Sequence, residues 1–175
     1  MKNIKLLSEA FKNNEPIPIE HTCDGGNISP ALSWDEVPEG TKSITLIVDD
    51  LDGPNGTFEH WVLFNIPENV RKLPEGMKGV GTFNDGSRHG INGFGRLGYG
   101  GPCPSNGIHA YNFRIYALDR TLSLIPGMPR NRVDEGMKGH ILNKGKLVGI
   151  YKRQRKNIDR LRYETETRRT AETAK

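Results

Sequence analysis

A loop-rich, mainly β fold is predicted for this chain of 175 residues, on two observations. Apolar residues make up only 34% of the sequence, against 21 glycines and 11 prolines, a balance that favours turns and short strands over a helical bundle. The apolar residues also fall in short runs between turn-forming clusters, and the clearest of these runs alternate with a period of two. At this length one domain is expected, large enough to bury its core without metals or disulfides. No apolar run approaches the roughly 20 residues that span a bilayer, so no transmembrane segment is expected. The opening Met1-Lys-Asn-Ile-Lys-Leu-Leu-Ser-Glu is too short and too soon interrupted for a secretory signal, which makes the cytoplasm the expected location.

Taken in order, residues 4–7 and 45–48 read as short strands, the second an apolar run bounded by turn residues. Residues 60–66 are a stronger candidate, with Trp61, Leu63 and Asn65 on one side and Val62, Phe64 and Ile66 on the other. The glycine-dense stretch 75–107, with turn signals at Asn84-Asp-Gly86 and Asn92-Gly93, is long enough inside one domain to suggest a functional loop. Within it, Arg88 and His89 read as solvated loop. Residues 111–118 alternate again, Tyr111, Phe113, Ile115 and Ala117 against Asn112, Arg114, Tyr116 and Leu118. A helix is expected from Asn131, a capping residue, to about Asn143, with Val133, Met137, Ile141 and Leu142 at helical spacing and Gly145 beyond. A strand over 146–151 then closes a domain spanning 1–151. Trp34 and Trp61 read as core aromatics and His140 as structural.

The remainder, 152–175, is a basic extension. It carries nine Lys or Arg and four acids, so the body has a net charge of −1 although the whole chain is +4. The body is therefore not a nucleic-acid surface by charge. Ile158, Leu161 and Thr165 make a thin apolar stripe. The extension reads either as a helical tail that docks on the body or on a second subunit, giving a homodimer, or as a solvated tail.

Two stretches set titratable groups beside turn residues. One is Val48-Asp-Asp-Leu-Asp-Gly-Pro54 leading into Glu59-His-Trp-Val-Leu-Phe-Asn-Ile-Pro67; the other is Gly98-Tyr-Gly-Gly-Pro-Cys-Pro104 leading to His109-Ala-Tyr111. That composition suits a rigid polar pocket better than a core. Asp50 and Asp52 point the same way in extended chain, before Gly53 and Pro54 turn the backbone. His109 and Tyr111 share one strand face. The glycines at 98, 100 and 101 are expected to free backbone N–H groups and to let a ligand approach closely. Imidazole, phenol and amide donors suit an oxyanion, and a carboxylate can hold a histidine in the tautomer that donates toward it. Read singly, each has a plainer meaning: Asp-x-Asp is often a turn or cap, and a lone histidine is often structural.

Together with His21-Thr-Cys-Asp-Gly-Gly-Asn-Ile-Ser-Pro30 and Leu32-Ser-Trp34 upstream, these stretches resemble the signature segments of the phosphatidylethanolamine-binding protein family, specifically its bacterial and archaeal Raf-kinase-inhibitor-like branch. The resemblance covers 17–152. It implies a β-sandwich of two packed antiparallel sheets with a few short helices and a pocket at one end. It also implies that Asp50, Asp52, Pro54, His60, Gly100, Gly101, Pro102, His109 and Tyr111 form a small anion pocket, with the turn at 103–104 on its rim. In relatives such a pocket takes phosphate, a phospholipid head group or a carboxylate mimic. Leu51 stands where the family usually has proline, Gly53 where it has alanine, and Ala110 where it has arginine.

The function expected is binding without turnover or cofactor. The ligand would be phosphate or a phosphorylated small molecule, and the role regulatory or inhibitory toward a kinase or serine protease. The alternative is an enzyme using the Asp and His residues with a metal, or Cys103 with His109 as a nucleophile–base pair. A cytosolic setting favours reduced thiols, yet Cys23 and Cys103 both flank the proposed pocket, which leaves a disulfide between them open.

Overall fold

Strands form where the sequence alternates, and at several short places where it does not. The structure, a computed structural model, describes residues 2–53 and 55–153, so Pro54 and the extension from residue 154 onward, including its apolar stripe, lie outside the described residues. In chain order the strands are β1 (Leu6–Ser8), β2 (Glu15–Pro16), β3 (Leu32–Trp34), β4 (Ser43–Asp50), β5 (Phe58–Pro67), β6 (Lys72–Leu73), β7 (Arg88–His89), β8 (Ile108–Leu118) and β9 (Ile141–Lys152). A 3-10 turn covers Ile19–His21, and one α-helix, α1, covers Arg130–Met137. Two sheets result, one ordered β1-β3-β6 and one ordered β2-β9-β8-β4-β5-β7. All pairings are antiparallel except the short parallel join of β2 to β9.

The core has two parts, one on each face of the larger sheet. On the inner face Leu46, Val48, Trp61, Leu63, Phe113 and Ile115 cluster with Leu6, Leu32, Trp34 and Leu73 of the smaller sheet. On the outer face Ile47, Val62, Phe64 and Leu118 cluster with Leu122 and with Val133 and Met137 of α1. Strand β4 is therefore buried at all of its positions, polar ones included. Among the described residues no helix is long and apolar enough to cross a membrane.

Three local expectations are corrected. Strand β5 breaks its alternation at Asn65, which sits at φ 56° where the β4–β5 register slips between Ile44 and Leu46. This bulge returns Ile66 to the face of Trp61 and Leu63, away from Val62 and Phe64. The Asn65 amide then clamps the backbone of Leu122, donating to its carbonyl at 2.9 Å and accepting its N–H at 2.7 Å. The helix ends at Met137 rather than near Asn143, because Gly139 at φ 79° turns the chain out of it. Pro129, not Asn131, occupies the N-cap position, and Ile141 and Leu142 open β9, which pairs with β8 along its length.

Arg88 and His89 are not solvated loop. They form β7 at the edge of the large sheet, and His89 is fully buried. Its Nδ1–H donates to the Val80 carbonyl at 2.7 Å, and its Nε2 accepts the Trp61 indole N–H at 3.0 Å.

Candidate functional site

Three strand ends converge at one end of the large sheet. Strand β4 finishes at Asp50 and faces Tyr111 of β8 in register, while β5 pairs Phe58 with Asp50 and Trp61 with Val48, leaving His60 between them. His109 precedes Tyr111 by two residues on β8. Beside these strands lies a cavity of about 200 Å³ that Asp50, His60 and His109 help to line.

Asp50 and His109 form a close pair, both nearly buried, with His109 Nδ1–H donating to Asp50 Oδ2 at 2.7 Å. The other carboxylate oxygen accepts the Asp52 N–H at 2.8 Å, an Asx turn that bends the chain as β4 ends. Asp52 itself is exposed and does not line the cavity; its Oδ2 accepts the Ala110 N–H at 3.1 Å and clamps the loop to β8.

His60 Nδ1 lies 2.6 Å from the Gly100 carbonyl oxygen, which can only accept, so the proton is held on Nδ1. Its ring is boxed edge-to-face by Phe58 at 5.1 Å, Phe94 at 5.5 Å and Tyr111 at 5.1 Å. Burial pushes the His60 pKa down, against the opposing pull of the Gly100 carbonyl and the nearby Asp50 charge. The ring is thus neutral at neutral pH, and its Nε2 carries a lone pair.

Tyr111 lies behind the imidazoles, fully buried, and outside the cavity lining. Burial, followed by the Asp50 charge, raises its pKa, so the phenol stays protonated. The Cys103 N–H is directed at its oxygen without completing a hydrogen bond of good geometry.

Two expectations about hydrogen bonding are corrected. The glycine run does not free its amides: Gly100 N–H donates to the His60 carbonyl at 2.8 Å and Gly101 N–H to Asn27 Oδ1 at 2.7 Å. These glycines serve close packing instead. A Cβ at Gly100 would meet the Phe94 ring at 2.5 Å, and one at Gly101 would collide with the His21 carbonyl. Nor does the carboxylate leave a neutral His109 donating toward a ligand, since the proton of that tautomer sits on Nδ1, against Asp50.

The upstream motif buttresses the rim. Cys23 and Cys103 are joined in a disulfide with Cα atoms 5.4 Å apart, and Cys23 N–H donates to the Pro102 carbonyl at 3.1 Å. Tyr99 donates its hydroxyl to the His21 carbonyl at 2.7 Å. Asp24 accepts from the Tyr151 hydroxyl and from Arg153 Nε, each at 2.8 Å. In the disulfide Cys103 offers no thiolate, so the Cys103–His109 nucleophile–base pair does not form.

Phe58, Phe94 and Ser105 complete much of the lining and escaped the sequence reading, while Pro104 joins it from the rim turn that the resemblance implied. Phe58 was within reach, being two residues before His60 on the same strand face. Phe94 had no such signal. It is presented by a turn in which Asn92 Oδ1 accepts its N–H at 3.0 Å.

A two-sheet sandwich with an Asp–His pair and a second histidine around a cavity at its strand ends defines the class of fold to which the chain belongs. The chain belongs to the phosphatidylethanolamine-binding protein family, whose profile matches residues 7–152. It is 49% identical over 150 residues to a UPF0098 protein of Methanothermobacter thermautotrophicus, covering 86% of this chain and 99% of that relative. A UPF0098 protein of Aquifex aeolicus is 48% identical over 153 residues, covering 86% and 89% respectively. Among solved structures, a phosphatidylethanolamine-binding protein homologue from Chlamydia trachomatis superposes with a TM-score of 0.80 at 37% identity, over 87% of this chain and 99% of that one. E. coli YbcL, described as a member of the mammalian family, gives 0.78 at 30% identity, over 87% and 100%.

Proposed function

We propose that this protein binds a small anion, phosphate or a phosphorylated small molecule, in the cavity between His60 and His109. It acts by occupancy, as a regulatory or inhibitory protein toward a kinase or serine protease, and not by turnover. The observation that carries this reading is the Asp50–His109 pair at 2.7 Å. The carboxylate accepts the His109 Nδ1–H and leaves Nε2 facing the cavity; when the ring carries both protons, its Nε2–H is a charge-assisted donor to an oxyanion. The carboxylate also fixes the ring, so little ordering is needed on binding.

The test is titration with inorganic phosphate, followed by the imidazole NMR signals of His60 and His109 in the wild type and in His109→Ala. Saturable shifts of both rings in the wild type, with loss of the His60 shift in the variant, are expected. Flat signals at millimolar phosphate would end the anion reading.

A further inference from the structure

We infer that the cavity selects an anion that carries its own proton, a phosphomonoester-type group, over a phosphodiester, because His60 presents an acceptor and must be met by a P–OH donor. The inference rests on the anion reading above and names the ligand chemistry of that site. A phosphate group bound in this way would donate P–OH to His60 Nε2 and, when His109 carries both ring protons, accept from its Nε2–H through a second oxygen.

Four observations carry it. First, the His60 proton is committed to the Gly100 carbonyl, and no hydrogen bond of good geometry closes Nε2 among the described residues, although Gly101 backbone lies near the ring. Second, two rim amides that could have held an oxyanion, those of Gly100 and Gly101, are used inside the protein, on the His60 carbonyl and on Asn27. Third, among the described residues no Lys or Arg lines the cavity, whereas the Asp50 carboxylate does, which disfavours a dianion. Arg96 is stacked on Phe94, 5.6 Å from its centroid, and is not part of the lining. Fourth, the molecule shows what such a ring requires. His89 also holds its proton on Nδ1 against a backbone carbonyl, and there a donor, the Trp61 indole N–H, fills Nε2 at 3.0 Å.

The charged and titratable neighbours agree. His60 faces Asp50 and Asp49 from β4 and Tyr111 from β8. His109 faces Asp50, stacks on Tyr111, and pairs in register with Tyr151 of β9, while Asp52 reaches the adjacent Ala110. None of these brings a cation. A phosphomonoester has a second pKa of about 6 and so still carries a proton in part at neutral pH, whereas a diester has none to give. Placing a bare diester oxygen against the Nε2 lone pair leaves a buried acceptor unmet, a loss of about tenfold or more in affinity.

Methyl phosphate and dimethyl phosphate, which differ by one methyl group, are the probes. At pH 6, calorimetric titration of the full chain is expected to give at least about tenfold tighter binding of methyl phosphate. Above pH 6 its affinity falls as the monoanion disappears. His60→Gln, whose amide can donate, is expected to bring the ratio of the two affinities close to one; an unchanged ratio in that variant would overturn the role given to His60. If the variant does not fold, the wild-type ratio decides alone. Equal or tighter binding of dimethyl phosphate, with saturable imidazole shifts, would overturn the inference and leave the anion reading standing. Binding of neither ester nor of inorganic phosphate would remove both. Inorganic phosphate run alongside distinguishes the source. Affinity equal to methyl phosphate points to free phosphate, weaker affinity points to an organic monoester, and either supports the proton-carrying group.

Discussion

His89 and His60 are two answers to one problem. Both are buried, both donate Nδ1–H to a backbone carbonyl, and burial lowers the pKa of both. At His89 the Trp61 indole closes the other nitrogen, and the ring is core. At His60 the corresponding nitrogen is left to a cavity. The neighbouring carboxylates repeat the contrast. Asp49 is fully buried and holds Arg130 at 2.8 Å and Arg114 at 3.2 Å on the outer side of the sheet. Asp50, one residue on, points to the opposite face and holds a single histidine at the cavity. At the two histidines the difference is whether the protein supplies a donor for the second ring nitrogen or leaves that nitrogen to a cavity.

The largest effect is expected at Asp49. Asp49→Asn takes the carboxylate from Arg114 and leaves Arg130 with Asp134 alone, and should lower the unfolding free energy by about 3 kcal/mol in urea titration, with anion affinity of the folded fraction unchanged. Next, Trp61→Phe strips the donor from His89 Nε2 and orphans a buried acceptor, a loss of about 2 kcal/mol by the same measurement. An unchanged stability there would mean that His89 is not closed as described.

The pH response separates the two histidines further. Each has a folded-state pKa below the ordinary 6.5, so the unfolded chain binds more protons between the two values. Their contribution is fully present above about pH 6.5 and is lost as pH falls from there toward the folded-state values. Denaturation midpoints measured from pH 8 down to 5 should therefore decline, and His89→Gln or His60→Gln should each flatten the decline. Only in the case of His60 should a bound anion alter it. The smallest stability effect is expected at Asp50: Asp50→Asn should cost about 1 kcal/mol or less, while weakening phosphate binding about tenfold in NMR titration, the reverse of Asp49→Asn.

Much of the fold, and the meeting of Asp50, His60 and His109 at one end of the large sheet, were legible because strand alternation and turn residues are local signals. Asp50, His60 and His109 meet at one cavity, as their stretches suggested. The bulge at Asn65 was not legible, because a single extra residue leaves no compositional trace; its cause is a clamp on Leu122, 57 residues away. Helical spacing at Ile141 and Leu142 misled because Gly139 ends the helix, and a strand entering an edge exposes residues with no fixed period. The amides of Gly100 and Gly101 were misjudged for a similar reason. Their partners, His60 and Asn27, lie 40 and 74 residues away. His89 looked solvated because its donor is an indole on another strand.

The disulfide divides the site in a way that contacts alone do not reveal. Asp50 and His60 lie within the covalent ring closed by Cys23 and Cys103, and His109 lies outside it. Under tension applied to the two ends of the chain, the segment between the cysteines, which stand 80 residues apart in sequence, is bypassed. An oxidised molecule should therefore extend by about 280 Å less than a reduced one, at roughly 3.5 Å per residue. Most of the cavity lining would then be shielded from force, and pulling would part His109 from Asp50 while His60 stays within the closed loop.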